Sequence, residues 1–410
     1  MENFQPWLEV LLQKNQEQNS IAKILSVDSK PATSKGDNYM SEIKRVKIEV
    51  LLKSGKKTKK SVIIKGLPST EYHQGIMKEC SIFIREIVMY RDVISSMEDI
   101  LKEYGDYTEP MWPQMIDYRA NDLLVMNDLA ELGYKMGNRK EGLDLEHCLL
   151  VVISLAKFHA TSVIVKERGF IPLDLFEKHV FKIESSKEMF EQFYNQSLNN
   201  IIKNIESDWE PEWKPIAEKI RVNILPKVYD IVLGGLSYDP NRFNVMNHGD
   251  CWVNNMLFKY SIDAVRPISI KFVDLQLSFY NSPVYDLQYF LSTSLTMDVR
   301  NNSLDHLLTV YHDTLVKQLQ LYNYEGTIIT YEQLIKEFKE ANIFGLMTAL
   351  SLLPYVYRDE TDESFPEMED MLKEMKDEGK FETMPGCNSP LFIAVMKEIL
   401  SRIDKDNSLS

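Results

Sequence analysis

One stretch of this 410-residue chain concentrates side chains that could do chemistry: His248-Gly249-Asp250-Cys251-Trp252-Val253-Asn254-Asn255. An aspartate is followed five residues later by an asparagine, and an apolar run comes next. Further on, Ile268-Ser269-Ile270-Lys271-Phe272-Val273 reads as an apolar strand ending in a second aspartate, Asp274. A carboxylate held against a hydroxyl can take its proton as that oxygen attacks. Magnesium prefers carboxylate, amide carbonyl, water and phosphate oxygens. Asp250 as base, with Asn255 and Asp274 as metal ligands, is therefore a donor set suited to phosphoryl transfer from ATP. A bare His-x-Asp tripeptide often occurs as an ordinary turn, and it is the added Asn255 and strand-Asp274 that make the pattern specific. His248 is read as a hydrogen-bonding element inside the loop, because Asp250 already fills the base role and no serine nucleophile stands nearby.

Phosphoryl transfer also needs a cation on the phosphates, and the protein-kinase arrangement supplies it as a strand lysine paired with a helix glutamate. In Val62-Ile63-Ile64-Lys65, Lys65 shares a strand face with Ile63. Phe83, Glu86, Ile87 and Tyr90 recur at helical spacing, so Glu86 lies on an apolar face. A carboxylate there should be paired, and Lys65 is the expected partner; the alternative is a Glu86 that reaches solvent at the edge of the face. Gly36-Asp37-Asn38 precede the first long strand, where a phosphate-covering loop belongs, although a single glycine also fits a plain turn. Asn127, Asp128 and Leu129 follow the strand Leu123–Met126 and stand where a connector's backbone would meet an adenine edge; that assignment is positional. Ser282-Pro283 reads as a helix start with Ser as N-cap. Asp286 either favours that helix terminus or braces the catalytic loop through backbone amides.

The elements that must position these residues divide unevenly. Residues 3–25 are expected to form a short amphipathic helix with Trp7, Leu8, Leu11 and Leu12 on one face. Residues 39–67 read as strands turning at Ser54-Gly55, and residues 76–102 as a helix. Beyond about residue 130 the pattern is mostly helical, over 143–165, 185–235, 283–297, 303–322 and 330–352. The short apolar segments 243–246 and 268–273 flank the motif. The polar tail after about 403 is expected to fray. The composition shift near 126–130 divides the chain into residues 1–127, a nucleotide-binding lobe, and 128–410, a catalytic and substrate-binding lobe, with the ligand cleft between them. The fold class expected is α+β: two lobes, an antiparallel sheet plus helix and a larger, mainly helical part.

Composition excludes other classes. With 47 basic and 61 acidic residues the net charge is −14, which argues against nucleic acid as a partner. The lysines at 53, 56, 57, 59 and 60 read as a solvated hairpin tip. Cys80, Cys148, Cys251 and Cys387 form no CxxC pair, so free thiols in a reducing compartment are expected. No signal peptide is visible at the N-terminus, and the longest apolar run, Cys148–Ala156, is short of a membrane span. A cytoplasmic protein is the expectation, and a monomer is compatible with the sequence.

Lys30–Tyr39, Val62-Ile63-Ile64-Lys65-Gly66-Leu67-Pro68, the His248–Asn255 segment and Val273-Asp274-Leu275-Gln276-Leu277 together resemble the ecdysteroid-kinase-like (CHK-kinase-like) family, related to choline kinases and aminoglycoside phosphotransferases. The resemblance runs from about residue 25 to about 350. It implies a protein-kinase-like fold that phosphorylates a hydroxyl of a small molecule with ATP and Mg²⁺. It assigns Asp250 as base, Asn255 and Asp274 as metal ligands, and Lys65 with Glu86 as the phosphate-positioning pair. Cys251 stands where the family usually has leucine, and Leu275 where it usually has phenylalanine; both remain apolar. An ecdysteroid or a hydroxylated xenobiotic is the expected acceptor, set against parts of 160–240 and 280–360. The aromatics Phe190, Phe193, Tyr194, Tyr285, Tyr289 and Phe290 suit such a ligand and equally suit core packing. The rival readings are a choline- or aminoglycoside-type kinase and a non-catalytic hormone-binding protein on a kinase scaffold. A protein kinase is disfavoured, because no DFG or APE-like segment follows Asp274.

Overall fold

The computed structural model describes residues 21–32, 41–67, 75, 81–119, 122–182, 187–263, 265–357 and 385–410. Five antiparallel strands form the N-terminal sheet: β1 (Ile21–Pro31), β2 (Glu42–Leu52), β3 (Lys57–Gly66), β4 (Met115–Arg119) and β5 (Leu123–Asn127), in the order β1-β2-β3-β5-β4. The period-2 pattern divides its two faces. Val46, Ile48, Val50, Val62, Ile64 and Val125 bury themselves in one apolar layer, while Ile63, Lys65 and Met126 belong to the opposite face. Gly55 turns β2 into β3 at φ +81°, and Lys53, Lys56, Lys57 and Lys59 are exposed around it.

Helix α1 (Ile82–Val88) runs without a break through a π-turn at Met89–Ile94 into a further helical segment, Ser95–Glu103. Its Arg85 donates to the Ser278 carbonyl at 2.9 Å and the Lys178 carbonyl at 3.2 Å, with the guanidinium over the Phe176 ring. These bonds tie the helix that carries Glu86 to the segment following Asp274.

The remainder is mainly helical around one large core. Its centre is α2 (Leu145–Glu167), capped by Asp144, which accepts from the His147 amide. This helix is long and apolar enough to cross a membrane by length and composition, but 78 % of its most apolar window is buried inside the protein, as befits the central helix of a core. Around it lie α3 (Lys187–Asp208), α4 (Val284–Thr293), α5 (Leu304–Leu321), α6 (Tyr331–Glu340), α7 (Asn342–Val356) and α8 (Pro390–Lys405). Set into this helical lobe are β7 (Val245–Asn247), paired antiparallel with β10 (Phe279–Asn281), and a three-stranded sheet of β6 (Lys135–Met136), β8 (Met256–Tyr260) and β9 (Pro267–Phe272). The expected α+β layout, an antiparallel sheet plus helix followed by a larger, mainly helical part, is the architecture observed.

Three local expectations are corrected. Residues 21–25, expected in a helix, begin β1; register shifts at Ile21/Lys23 and Ile24/Ser26 obscure the alternation that marks a strand. The rest of that expected helix, residues 3–20, lies outside the described residues. Ser282 does not cap α4: its hydroxyl donates to Glu337 Oε2 at 2.5 Å, and Pro283 is the flanking residue. The C-terminal tail is anchored, since Leu409 is fully buried and its carbonyl accepts from Asn223 Nδ2 at 2.9 Å. The described cysteines Cys148, Cys251 and Cys387 are free and buried.

Candidate active site

The loop bearing Asp250 leaves β7, makes a short 3₁₀ turn at Val253–Asn255 and enters β8. Gly249 allows its tight turn. The residue sits at φ +84°, and a Cβ there would lie 2.1 Å from the Leu277 carbonyl oxygen, so only glycine fits. Asp286, on α4, accepts the His248 amide at 2.6 Å and the Gly249 amide at 2.9 Å. Of the two readings of Asp286, the brace is the one observed. Behind it, His159 Nε2 lies 3.1 Å from Asp286 Oδ2, and the other ring nitrogen lies 2.7 Å from the Tyr311 hydroxyl. Burial holds the His159 pKa below its ordinary value, with Asp286 opposing; a neutral ring donating to Asp286 and accepting from Tyr311 satisfies every partner.

His248 is internal, as expected. Its Nε2 lies 3.0 Å from the Val273 carbonyl oxygen, and Nδ1 accepts the Asp250 amide at 3.3 Å, which fixes the proton on Nε2. The Val273 amide in turn donates to the Asn255 carbonyl at 3.0 Å. The Asp250 loop and the Asp274 turn are thus stitched together by one imidazole and one backbone bond.

Asp250 itself is fully engaged. Asn255 Nδ2 donates to Oδ2 at 2.7 Å, and the Tyr289 hydroxyl donates to Oδ1 at 2.5 Å. Burial, then the nearby Asp274 charge, raise the Asp250 pKa, while these donors oppose the rise. Asp274 adopts φ +66°, a left-handed conformation that aspartate tolerates better than most residues.

Lys65 Nζ lies 2.7 Å from Glu86 Oε2 and 2.7 Å from Asp274 Oδ1. The Lys65 and Glu86 side chains are 2 % and 1 % exposed, so the expected ion pair is present and buried. Burial opposes the ammonium charge, but Asp274 and Glu86 more than offset it and raise the Lys65 pKa. Burial also raises the Glu86 pKa against the attraction of Lys65. The contact to Asp274 was not expected, since sequence reasoning left the ammonium free for phosphates.

A cleft of 330 Å³ opens over this group between the sheet and the helical lobe. Lys65, Glu86, Asn255 and Asp274 line it, as do Asn127, Asp128 and Leu129 from the connector. The Asp128 carboxylate is occupied by Arg45, Ser61 and the Ala130 amide, which leaves the connector's backbone as its means of contact. Gly36, Asp37 and Asn38 lie outside the described residues. Among the described residues no cluster of three or more His, Cys, Asp or Glu forms a metal site. Magnesium held jointly with phosphates needs no such cage. Asn255 donates through Nδ2, so its oxygen is the atom available to a cation, beside the Asp274 carboxylate. Two carboxylates, Glu86 and Asp274, contact the one ammonium here, and Asp250 adds a third negative charge close enough to Asp274 to raise its own pKa; that excess of negative charge fits a divalent ion. Tyr289 is the site residue that sequence reasoning did not place; it was noted only as one of several aromatics.

No curated protein matches this chain. Among solved structures it is similar to an amicoumacin kinase, hAmiN, in complex with AMP-PNP, Ca²⁺ and Ami, at 10 % identity and a TM-score of 0.37, over 98 % of this chain and 94 % of that one. The ecdysteroid kinase-like family matches residues 35–324, a span that includes Lys65, Glu86, Asp250, Asn255, Asp274 and Asp286. The chain therefore belongs to the ecdysteroid kinase-like family, a membership that supports a small-molecule phosphotransferase.

Proposed function

We propose that this protein transfers the γ-phosphoryl group of ATP to a hydroxyl of a small, largely apolar molecule, an ecdysteroid or a hydroxylated xenobiotic. The observation that carries the reading is the convergence of Lys65, Asn255 and Asp274 on one cleft, with Asp250 tied to Asn255 at its edge. The sheet and connector lobe, residues 1–127, would hold the nucleotide, and residues 128–410 the acceptor. Asp250 orients the acceptor hydroxyl and takes its proton as the oxygen attacks phosphorus. Lys65, braced by Glu86, turns from Asp274 toward the phosphates. Asn255 and Asp274 would hold Mg²⁺, which offsets phosphate charge when bound. Phe190, Phe193 and Tyr289 are partly exposed, and their rings suit an apolar acceptor.

ATP consumption measured across steroids, hydroxylated xenobiotics, choline and aminoglycosides tests the proposal. Turnover with a steroid or xenobiotic is expected. Turnover with choline or an aminoglycoside alone would overturn the acceptor class, and binding without turnover would favour a sequestering protein.

A further inference from the structure

Two residues on one helix grip the same loop. Asp286 and Tyr289 are three apart on α4, so they share a face; the first takes the loop's amides and the second reaches Asp250. Tyr289 presents an O–H to the Asp250 carboxylate, which is the interaction an acceptor alcohol must make before it can be deprotonated. The other oxygen already accepts from Asn255. Among the described residues no other side-chain donor reaches Oδ1. The phenol therefore stands in a place that an attacking hydroxyl has to share or take.

We infer that Tyr289 is a positioning residue that keeps water from using Asp250: its hydroxyl holds the acceptor's place and yields only to an alcohol whose body is bound elsewhere in the cleft. The inference rests on the phosphotransfer reading above. Water is the acceptor every such enzyme must avoid. In the wasteful reaction a water oxygen bonds to the γ-phosphorus, the bond from that phosphorus to the β–γ bridging oxygen breaks, the water proton goes to Asp250, and ADP and phosphate leave. A water molecule brings no further binding energy with which to displace a charge-assisted hydrogen bond. An acceptor bound along its whole length does, and can spend it on this exchange.

The test uses the full-length protein with ATP and Mg²⁺ and no acceptor. Tyr289→Phe keeps the ring and removes the donor, and it should raise ATP hydrolysis by about tenfold or more with the KM for ATP unchanged. Asp250→Asn combined with Tyr289→Phe should abolish that gain. A second readout needs no nucleotide. The near-ultraviolet tyrosine absorption of the ligand-free protein should shift when Asp250 becomes Asn, and the shift should vanish when the same change is made in the Tyr289→Phe background. Unchanged or slower hydrolysis in Tyr289→Phe, while the parent protein phosphorylates an acceptor, would overturn this inference alone. So would an equal spectral shift in both backgrounds. No ATP turnover by either protein, with or without acceptors, would overturn the phosphotransfer reading as well.

Discussion

The Asp286 carboxylate accepts the Gly249 backbone amide at 2.9 Å, so a residue of helix α4 fixes the turn from which Asp250 projects. The same group accepts the His248 amide at 2.6 Å and meets His159 at 3.1 Å, and it is 1 % exposed. Asp286→Ala strands two buried amides and one imidazole donor. Unfolding free energy should drop by about 2–4 kcal/mol, measured by denaturant melts. In the fraction still folded, kcat should fall more than the KM for ATP changes, because the loop loses its register and the nucleotide cleft does not.

Lys65 and Glu86 form a buried ion pair at 2.7 Å. Removing one partner leaves the other charge buried. Glu86→Ala should therefore cost about 3–5 kcal/mol, offset in part because Asp274 still contacts the ammonium. The KM for ATP should rise, since Lys65 would lean on Asp274 and away from the phosphates. A denaturant melt indistinguishable from that of the parent would mean that the pair contributes nothing to the fold.

His179 is buried against the Phe279 ring, and burial, with Arg85 and Lys182 nearby, lowers its pKa from 6.5 to about 3. Between those values the unfolded chain binds a proton that the folded protein refuses. Stability from this residue is whole above pH 6.5 and is lost as pH falls toward 3. Glu86 acts with the opposite sign, because its folded pKa is raised, so the parent's profile alone is mixed. The difference from His179→Gln isolates the effect. The variant should gain on the parent by about 1 kcal/mol between about pH 7.5 and about pH 5.5, read from paired melts; a constant gap would contradict the assignment.

What the sequence disclosed, and what it withheld, follows from distance along the chain. Asp250, Asn255 and Asp274 sit in one short stretch, so their spacing and the strand between them were readable as a unit. Lys65 and Glu86 were readable because each stood out from its own element, a lysine ending an apolar strand and a glutamate on an apolar helix face. Tyr289 and His159 gave no such signal. Each falls within an apolar helix pattern that core packing explains, and only the tertiary fold brings the Tyr289 hydroxyl to Asp250 and the His159 ring to Asp286. The start of β1 was misread because its register shifts break the strand period, and the C-terminal tail because one buried leucine, Leu409, anchors an otherwise polar end.

The most direct test is the turnover of Asp250→Asn, at saturating ATP and Mg²⁺, on whichever acceptor the parent phosphorylates. The substitution keeps the side chain's shape, exchanges one acceptor oxygen for an N–H₂ donor beside Asn255 or Tyr289, and removes the ability to take a proton. The account predicts a fall in kcat of about 10²–10⁴ with ATP affinity and melting temperature near those of the parent. Turnover equal to the parent's would contradict it, because the group placed at the centre of the site would then play no part in moving the proton.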